Sequence, residues 1–267
     1  MKNEVLLFTS GVDSYVAREY LITKGHDIDC LYFDHRGMYC EHELEKIYSL
    51  PFEVKISEDL RFSHIEEEDA HIPNRNILMT IMAHAYGYKK VWLGGTLSDR
   101  VGDNKPGVFK NLSKLITEVN EEHCEIFSPF YHCYKDDIVR WFVDQKGVEG
   151  KEELVKNTFS CFNPTEDNNK HLTFFTSKNS NKVINFSAPL EFETKECMEC
   201  SACFRKCAVL RSGGIFIPFH NESILRKYQE EFESEIVQNP RVIGTLQYIN
   251  DWEWFIDRYV ESHRIGE

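Results

Sequence analysis

The 267-residue chain reads as an α/β protein built on a doubly wound, mostly parallel sheet. Three observations lead there. Short apolar runs stop abruptly at small residues, as buried parallel strands do where they leave a sheet. Segments with helical apolar spacing alternate with those runs, which implies parallel strands joined by helical crossovers. Finally, 42% of the residues are hydrophobic, in a chain long enough to bury a sizeable core without disulfides.

Val5, Leu6, Leu7 and Phe8 form the first strand, ended by Thr9-Ser10-Gly11. Asp13 and Ser14 open a helix that carries Tyr15, Val16, Tyr20 and Leu21 and closes at Gly25. Residues 28–33 form the second strand, followed by the loop Asp34-His35-Arg36-Gly37. A second helix is expected over 41–50 and a third strand over 52–56. A third helix follows over 76–90, with Ile77, Ile81, Ala85 and Tyr88 on one face. Residues 91–93 form a fourth strand, ended by Gly94-Gly95. Ligands of such sheets bind at the carboxyl ends of the strands, beside a topological switch point. The loops 9–14, 34–40, 71–76 and 94–109 are therefore expected to meet on one edge.

Regularity falls after about residue 150. This suggests an α/β domain over 1–150 and a Cys-rich, helical region over 151–267, packed as one unit with the first. Residues 163–187, rich in Asn, Lys, Ser and Thr, read as a loop or a mobile hairpin. Residues 224–264 read as two helices broken near Asn239-Pro240. The acidic run from Glu66 to Asp69 reads as a solvated surface, because adjacent carboxylates do not converge on a cation.

Composition narrows the function. The net charge of −13 lacks the bulk electrostatics of a general nucleic-acid binder, so nucleic acid is not an expected partner. No apolar run approaches the roughly 18–20 residues of a membrane span. The stretch at 5–8 is too short for a signal peptide, so a cytoplasmic protein without a membrane partner is expected. In a reducing compartment, nine cysteines read as free thiols or metal ligands rather than disulfides.

Two segments carry chemistry. Phe8-Thr9-Ser10-Gly11-Val12-Asp13-Ser14 combines a strand, a tight small-residue turn and a helix start. The first helical amides and the dipole make such a turn an anion site, to which Thr9, Ser10 and Ser14 add hydroxyls. Asp13 would repel an anion there unless it caps the helix or holds a cation. An ordinary capped strand-to-helix turn is the alternative. The second segment holds Cys197, Cys200 and Cys203, whose spacing suits one tetrahedral metal, zinc or iron–sulfur. Adding Cys207 reproduces a bacterial ferredoxin spacing, with Ala208 where that run has Pro. Cys30, Cys40, Cys124 and Cys133 read as ordinary small residues, and His35 as a loop polar residue.

The turn resembles the Ser-Gly-Gly-x-Asp-Ser signature of the PP-loop ATP pyrophosphatases, an adenine nucleotide alpha hydrolase-like fold. Ser10 in the place of Gly requires a negative φ or a different bend. Other segments resemble the 7-cyano-7-deazaguanine synthases, a branch of that group. They are Ile72-Pro73-Asn74-Arg75-Asn76, Gly94 through Asp99 with Gly102, Pro106 and Phe109, and Pro129 with Lys135 and Asp137-Ile138-Val139-Arg140. Phe159-Ser160-Cys161 and the cluster at 197–206 follow in order. Two loops depart: Asp34-His35-Arg36-Gly37 stands where the family shows Asp-Tyr-Gly-Gln, and 105–109 lacks the acidic residue before Phe109.

The resemblance implies an ATP-dependent ligase that converts 7-carboxy-7-deazaguanine and ammonia to the nitrile, with Mg²⁺ and a structural Zn²⁺. It implies ATP contacts at Phe8, Thr9, Ser10, Gly11, Val12, Asp13, Ser14 and Phe33. Asp13, Ser14 and Lys135 become catalytic candidates, and Arg75, Asn76, Asp99 and Phe109 substrate contacts. Cys161 becomes the fourth zinc ligand, and a homodimer is implied. Alternatives stay open: a PP-loop enzyme with another acceptor, such as a tRNA base being thiolated, or a non-catalytic nucleotide-binding zinc protein.

Overall fold

The computed structural model describes residues 2–67, 72–99, 102–165, 170–177, 189–233, 248–249 and 252. The chain divides into two compact units that interleave: Met1–Ile138 with Asn157–Phe162, and Val139–Lys156 with Asn163–Glu267. A single cut near residue 150 does not describe this division.

In the first unit, β1 (Glu4–Leu7), β2 (Ile28–Phe33), β3 (Lys55–Ser57), β4 (Lys90–Trp92) and β5 (Glu125–Phe127) form one all-parallel sheet. The order β3-β2-β1-β4-β5 means that the chain winds outward from β1 to β3, then returns past β1 to wind the other way. The switch point lies between β1 and β4, which pair directly with Leu6 opposite Trp92. The loops that follow these two strands therefore leave the sheet side by side.

Burial on both sheet faces explains why β1 is a continuous apolar run. Successive side chains of a strand point to opposite faces. Val5 and Leu7 enter a core with Leu31, Phe33, Val91, Leu93 and Ile126. Met79 and Ala83 from α3 (Arg75–Ala85) and Phe109, Leu112 and Ile116 from α4 (Pro106–Asn120) complete it. Phe8 instead meets Phe52 edge-on at 5.6 Å, and Phe52 also contacts Tyr15 of α1 (Val12–Thr23). The second helix of this unit, α2 (Cys40–Tyr48), follows β2.

Some expected boundaries move. The third helix ends at Ala85, not near residue 90, and it buries Met79, Thr80 and Ala83 while Ile81 is 41% exposed. Of the expected face, Ile77 packs against the core, whereas Ile81 and Ala85 are exposed. Tyr88 is buried beyond the helix and donates its hydroxyl to Asp29 at 2.9 Å. The loop after β4 is shorter than 94–109, because Pro106 sits at the first position of α4, where its missing N–H costs nothing. Glu66 is not simply solvated: its carboxylate accepts the Met38 N–H at 3.0 Å. Residues 68–69 of that run lie outside the described residues.

The helical stretch α5 (Lys135–Asn157), broken at Gly147 with φ +65, carries the chain from the first unit into the second and back. The second unit holds an antiparallel sheet of β6 (Lys170–Thr176), β7 (Leu190–Thr194) and β8 (Ile215–Phe216), with β6 central. Part of the stretch read as a loop or mobile hairpin is therefore a central strand, and it does pair antiparallel with β7. Two helices follow, α6 (Ser201–Ser212) and α7 (Glu222–Glu233). Their core is aromatic: Phe174 meets Phe192, and Phe204 packs against Phe219, Tyr228 and Tyr248. Lys206 and Glu196 form a fully buried ion pair at 2.7 Å. The break at Asn239-Pro240 and most of the second tail helix lie outside the described residues. Among the described residues, no helix is long and apolar enough to cross a membrane.

Candidate active site

The turn after β1 is built by its own short side chains. Thr9 N–H donates to Ser14 Oγ at 3.3 Å, and that hydroxyl donates to the Gly11 carbonyl at 3.1 Å. Gly11 is the N-cap of α1 and has no side chain with which to satisfy the first helical amides. The alternative in which Asp13 or Ser14 caps the helix is therefore not what the turn does. Ser10 adopts φ +54, not the expected negative φ, so an L-residue takes a left-handed bend that glycine adopts more readily. Its carbonyl accepts the Phe159 N–H at 3.0 Å, while its buried Oγ has no hydrogen-bond partner among the described residues.

Asp13 does not face an anion site as a bare carboxylate. Lys135, at the first position of α5, donates to Asp13 Oδ2 and lies 3.4 Å from Asp99 Oδ1. The other Asp99 oxygen accepts from Thr96 N–H at 2.7 Å and from Asn104 Nδ2 at 2.9 Å. Asp99 therefore braces the loop after β4 and aims Lys135 at the β1 turn. The Asp137 carboxylate accepts the Tyr134 N–H at 3.0 Å and so fixes the start of α5. Gly94 holds the two switch-point loops together: a Cβ there would lie 3.2 Å from backbone atoms of Asp13 and Ser14.

Thr9, Phe33, His35, Arg75 and Met79 line a cleft at the same edge of the sheet. Its volume is small, about 10 Å³. Arg75 has no hydrogen-bond or ion-pair partner for its guanidinium among the described residues, unlike a structural arginine. Burial, and then the Arg75 charge, push the buried His35 imidazole down to about 4, so it is neutral at physiological pH. Phe33 is buried and stacks on Tyr86 at 6.1 Å.

Asn76 donates through its backbone N–H and its Nδ2 to Asp103, which ties α3 to the turn before α4. Phe109 is fully buried in the core and stacks on Tyr131 at 6.1 Å. The structure thus gathers Thr9 through Ser14, Lys135 and Asp99 at the switch point, with Arg75 and Phe33 on the adjoining cleft. It makes Asn76 a positioning residue and leaves Phe109 without an exposed ring face. Sequence reasoning had not singled out Asn104 or Thr96; their only sequence signal is that both lie in the Gly-rich loop after β4.

The sulfurs of Cys161, Cys197, Cys200 and Cys203 all lie within 4.8 Å of one another, and this group could hold a metal ion. Cys197 and Cys203 are 3.9 Å apart, close to the roughly 3.8 Å that zinc–sulfur bonds of about 2.3 Å give at a tetrahedral angle. Glu199 N–H donates to Cys197 Sγ at 3.4 Å and Cys203 N–H to Cys200 Sγ at 3.5 Å. Such donors stabilise thiolates and orient them. Cys207 lies outside this group, fully buried one turn further along α6. Burial pushes the thiols of Cys30 and Cys124 up to about 11, as inert core cysteines require.

Residues 53–213 match the family described as "Queuosine biosynthesis protein QueC". The chain belongs to the QueC family. The matched span holds Arg75, Asn76, Asp99, Phe109, Lys135 and the four grouped cysteines; the β1 turn precedes it. Curated relatives agree with the family. The 7-cyano-7-deazaguanine synthase of Thermoplasma acidophilum is 23% identical over 265 residues, covering 87% of this chain and 97% of its own. That of Rickettsia bellii is 24% identical over 201 residues, covering 62% of this chain and 86% of its own. That of Sulfolobus acidocaldarius is 26% identical over 233 residues, which is 72% of this chain and 48% of the relative. QueC is a PP-loop family, in keeping with the all-parallel sheet, and the relatives' names are those of a synthase acting on a small molecule.

Proposed function

We propose that this chain is a cytoplasmic 7-cyano-7-deazaguanine synthase of queuosine biosynthesis, an ATP-dependent ligase that forms a C–N bond. The observation that carries the reading is the β1 turn at the switch point. The helix start there has no side-chain cap, the neighbouring Ser10 hydroxyl has no partner among the described residues, and the Lys135 ammonium donates to Asp13 in the first turn of that helix. Helix-terminal amides and a fixed cation are what a triphosphate tail requires.

On this reading the turn, from Thr9 to Ser14, grips the pyrophosphate of ATP, and the backbone near Phe33 faces adenine. Asp13 is the carboxylate that would hold a Mg²⁺ ion, which would neutralise charge on the triphosphate. The substrate carboxylate attacks the α-phosphorus and pyrophosphate leaves. Ammonia then displaces AMP from the acyl-adenylate, giving the amide. A second ATP adenylates the amide oxygen, and loss of that oxygen with AMP leaves the nitrile. Lys135 neutralises charge as pyrophosphate departs, and Arg75 positions the substrate or a phosphate. Asp99 and Asn76 hold these groups in place, and the chemistry itself needs positioning more than covalent help. The four grouped thiols fit Zn²⁺; four thiolates leave no open coordination position, so the ion supplies stability, not catalysis. A homodimer is part of the proposal.

The test is ATP–pyrophosphate exchange and nitrile formation in Asp13→Ala and Ser14→Ala variants. Both activities should be lost while circular dichroism stays that of the wild type; full turnover in both variants rejects the assignment. A second reading keeps the adenylating machinery with a different acceptor. It is favoured by the loop Asp34-His35-Arg36-Gly37, which departs from the family pattern. Competing the carboxylated deazapurine against tRNA as acceptor separates the two readings.

A further inference from the structure

His35, Cys40 and Glu43 are three metal-ligating side chains of different chemistry on one short stretch, the loop after β2 and the first turn of α2. All three are buried, and one donor atom from each lies within 4.8 Å of the others. We propose that they form a second metal site, for a borderline divalent transition ion such as Zn²⁺, distinct from the four-cysteine group and independent of the function proposed above.

The geometry supports the assignment. Zinc bonds of about 2.3 Å to sulfur and 2.05 Å to nitrogen, at a tetrahedral angle, set those atoms about 3.6 Å apart. Cys40 Sγ is 3.6 Å from each of the two ring nitrogens of His35, so it lies against the ring and not in line with one nitrogen's lone pair; a turn of the imidazole about its Cβ–Cγ bond brings one nitrogen to bear on a shared ion. Cys40 and Glu43 are three residues apart on α2, so one helix face presents both toward the imidazole.

The outer shell is built as metal ligands require. Gly37 N–H donates to Cys40 Sγ at 3.2 Å, and the Tyr32 hydroxyl donates to the Glu43 carboxylate at 2.8 Å. The His35 ring is held between Phe62, stacked at 6.2 Å, and Tyr39, edge-on at 6.5 Å. Gly37 allows the loop to close on that ring, since a Cβ there would lie 2.6 Å from His35 Cε1. A thiol, an imidazole and a carboxylate together favour zinc-like ions over magnesium or calcium. Three protein ligands also leave one coordination position open. Of the three, His35 also lines the small cleft with Thr9 and Arg75.

Metal-stripped full-length protein titrated with Co²⁺ tests this. The wild type should take up two equivalents, one with the strong sulfur-to-cobalt absorption of four thiolates and one with the weaker band of a single thiolate. Cys40→Ser and His35→Ala should each take up one equivalent and keep the four-thiolate spectrum. An unchanged stoichiometry and spectrum in folded variants overturns the site. If neither variant folds, the wild-type count decides: two equivalents uphold the site, and fewer overturn it.

Discussion

Ser10 shows how a single residue tells what the turn is for. An L-residue in the left-handed region costs about 1–2 kcal/mol, and Ser10 bears that cost with a buried hydroxyl that no described residue satisfies. Ser10→Gly should therefore stabilise the fold by about 0.5–1 kcal/mol, the strain relieved less the extra backbone freedom of glycine when unfolded. Urea unfolding midpoints would check the sign. Asp13 poses the complementary problem of a carboxylate on an anion-binding turn. Its solution, Lys135, lies 122 positions away. The turn could be read from seven consecutive residues, but no local pattern reveals which distant cation completes it. His35 and Cys40 were hidden in the same way. Each is ordinary alone, and only the fold brings a donor atom of each within 4.8 Å of the others and of Glu43.

Elements were more legible in kind than in phase. Strands β1, β2 and β4 announced themselves as apolar runs, because both faces of a parallel sheet are covered. The buried face of α3 was read partly out of phase: Ile77 does pack against the core, but Ile81 fits a helical stripe as well as Met79 and Ala83 do. The sheet buries Met79 and Ala83 and leaves Ile81 exposed. Met79→Ala should then cost about 2–5 kcal/mol, whereas Ile81→Ala should stay within about 0.5 kcal/mol of the wild type in thermal or urea unfolding.

Asp29 on β2 ties three elements together. Burial tends to raise its carboxyl, but hydrogen bonds from Lys55 and Tyr88 outweigh burial and hold it below its usual 3.8. A depressed carboxylate stabilises the fold above its unfolded pKa and loses that contribution as pH falls through the folded value. Below about pH 4 the wild type should thus lose stability more steeply than Asp29→Asn, as read from unfolding free energies at a series of acid pH values.

At the scale of the whole molecule, the division into two units was the least legible feature. The chain leaves the first unit within α5, returns to it for Asn157–Phe162, and leaves again. Composition cannot register such interleaving, because it averages over stretches that belong to different units. The antiparallel β6 was obscured for a related reason, since its polar flanks dominate the segment. Zinc bound to the folded chain alone should stabilise it by about 2.7 kcal/mol at one hundred times its dissociation constant. Thermal midpoints should accordingly rise with added zinc and fall under a chelator. Cys203→Ala should lose the response of the four-cysteine group, and a brown, iron-containing protein would reject zinc there.

Local order along the chain determined the fold class, the anion-binding turn and the cysteine spacing, because strand burial, turn chemistry and ligand spacing all act between near neighbours. Only the tertiary structure decided that Lys135 meets Asp13, that Phe109 belongs to the core, and that His35, Cys40 and Glu43 form one buried cluster. Those outcomes depend on which faces the sheet covers and on how loops from distant strands converge at its switch point. No window of sequence contains that geometry.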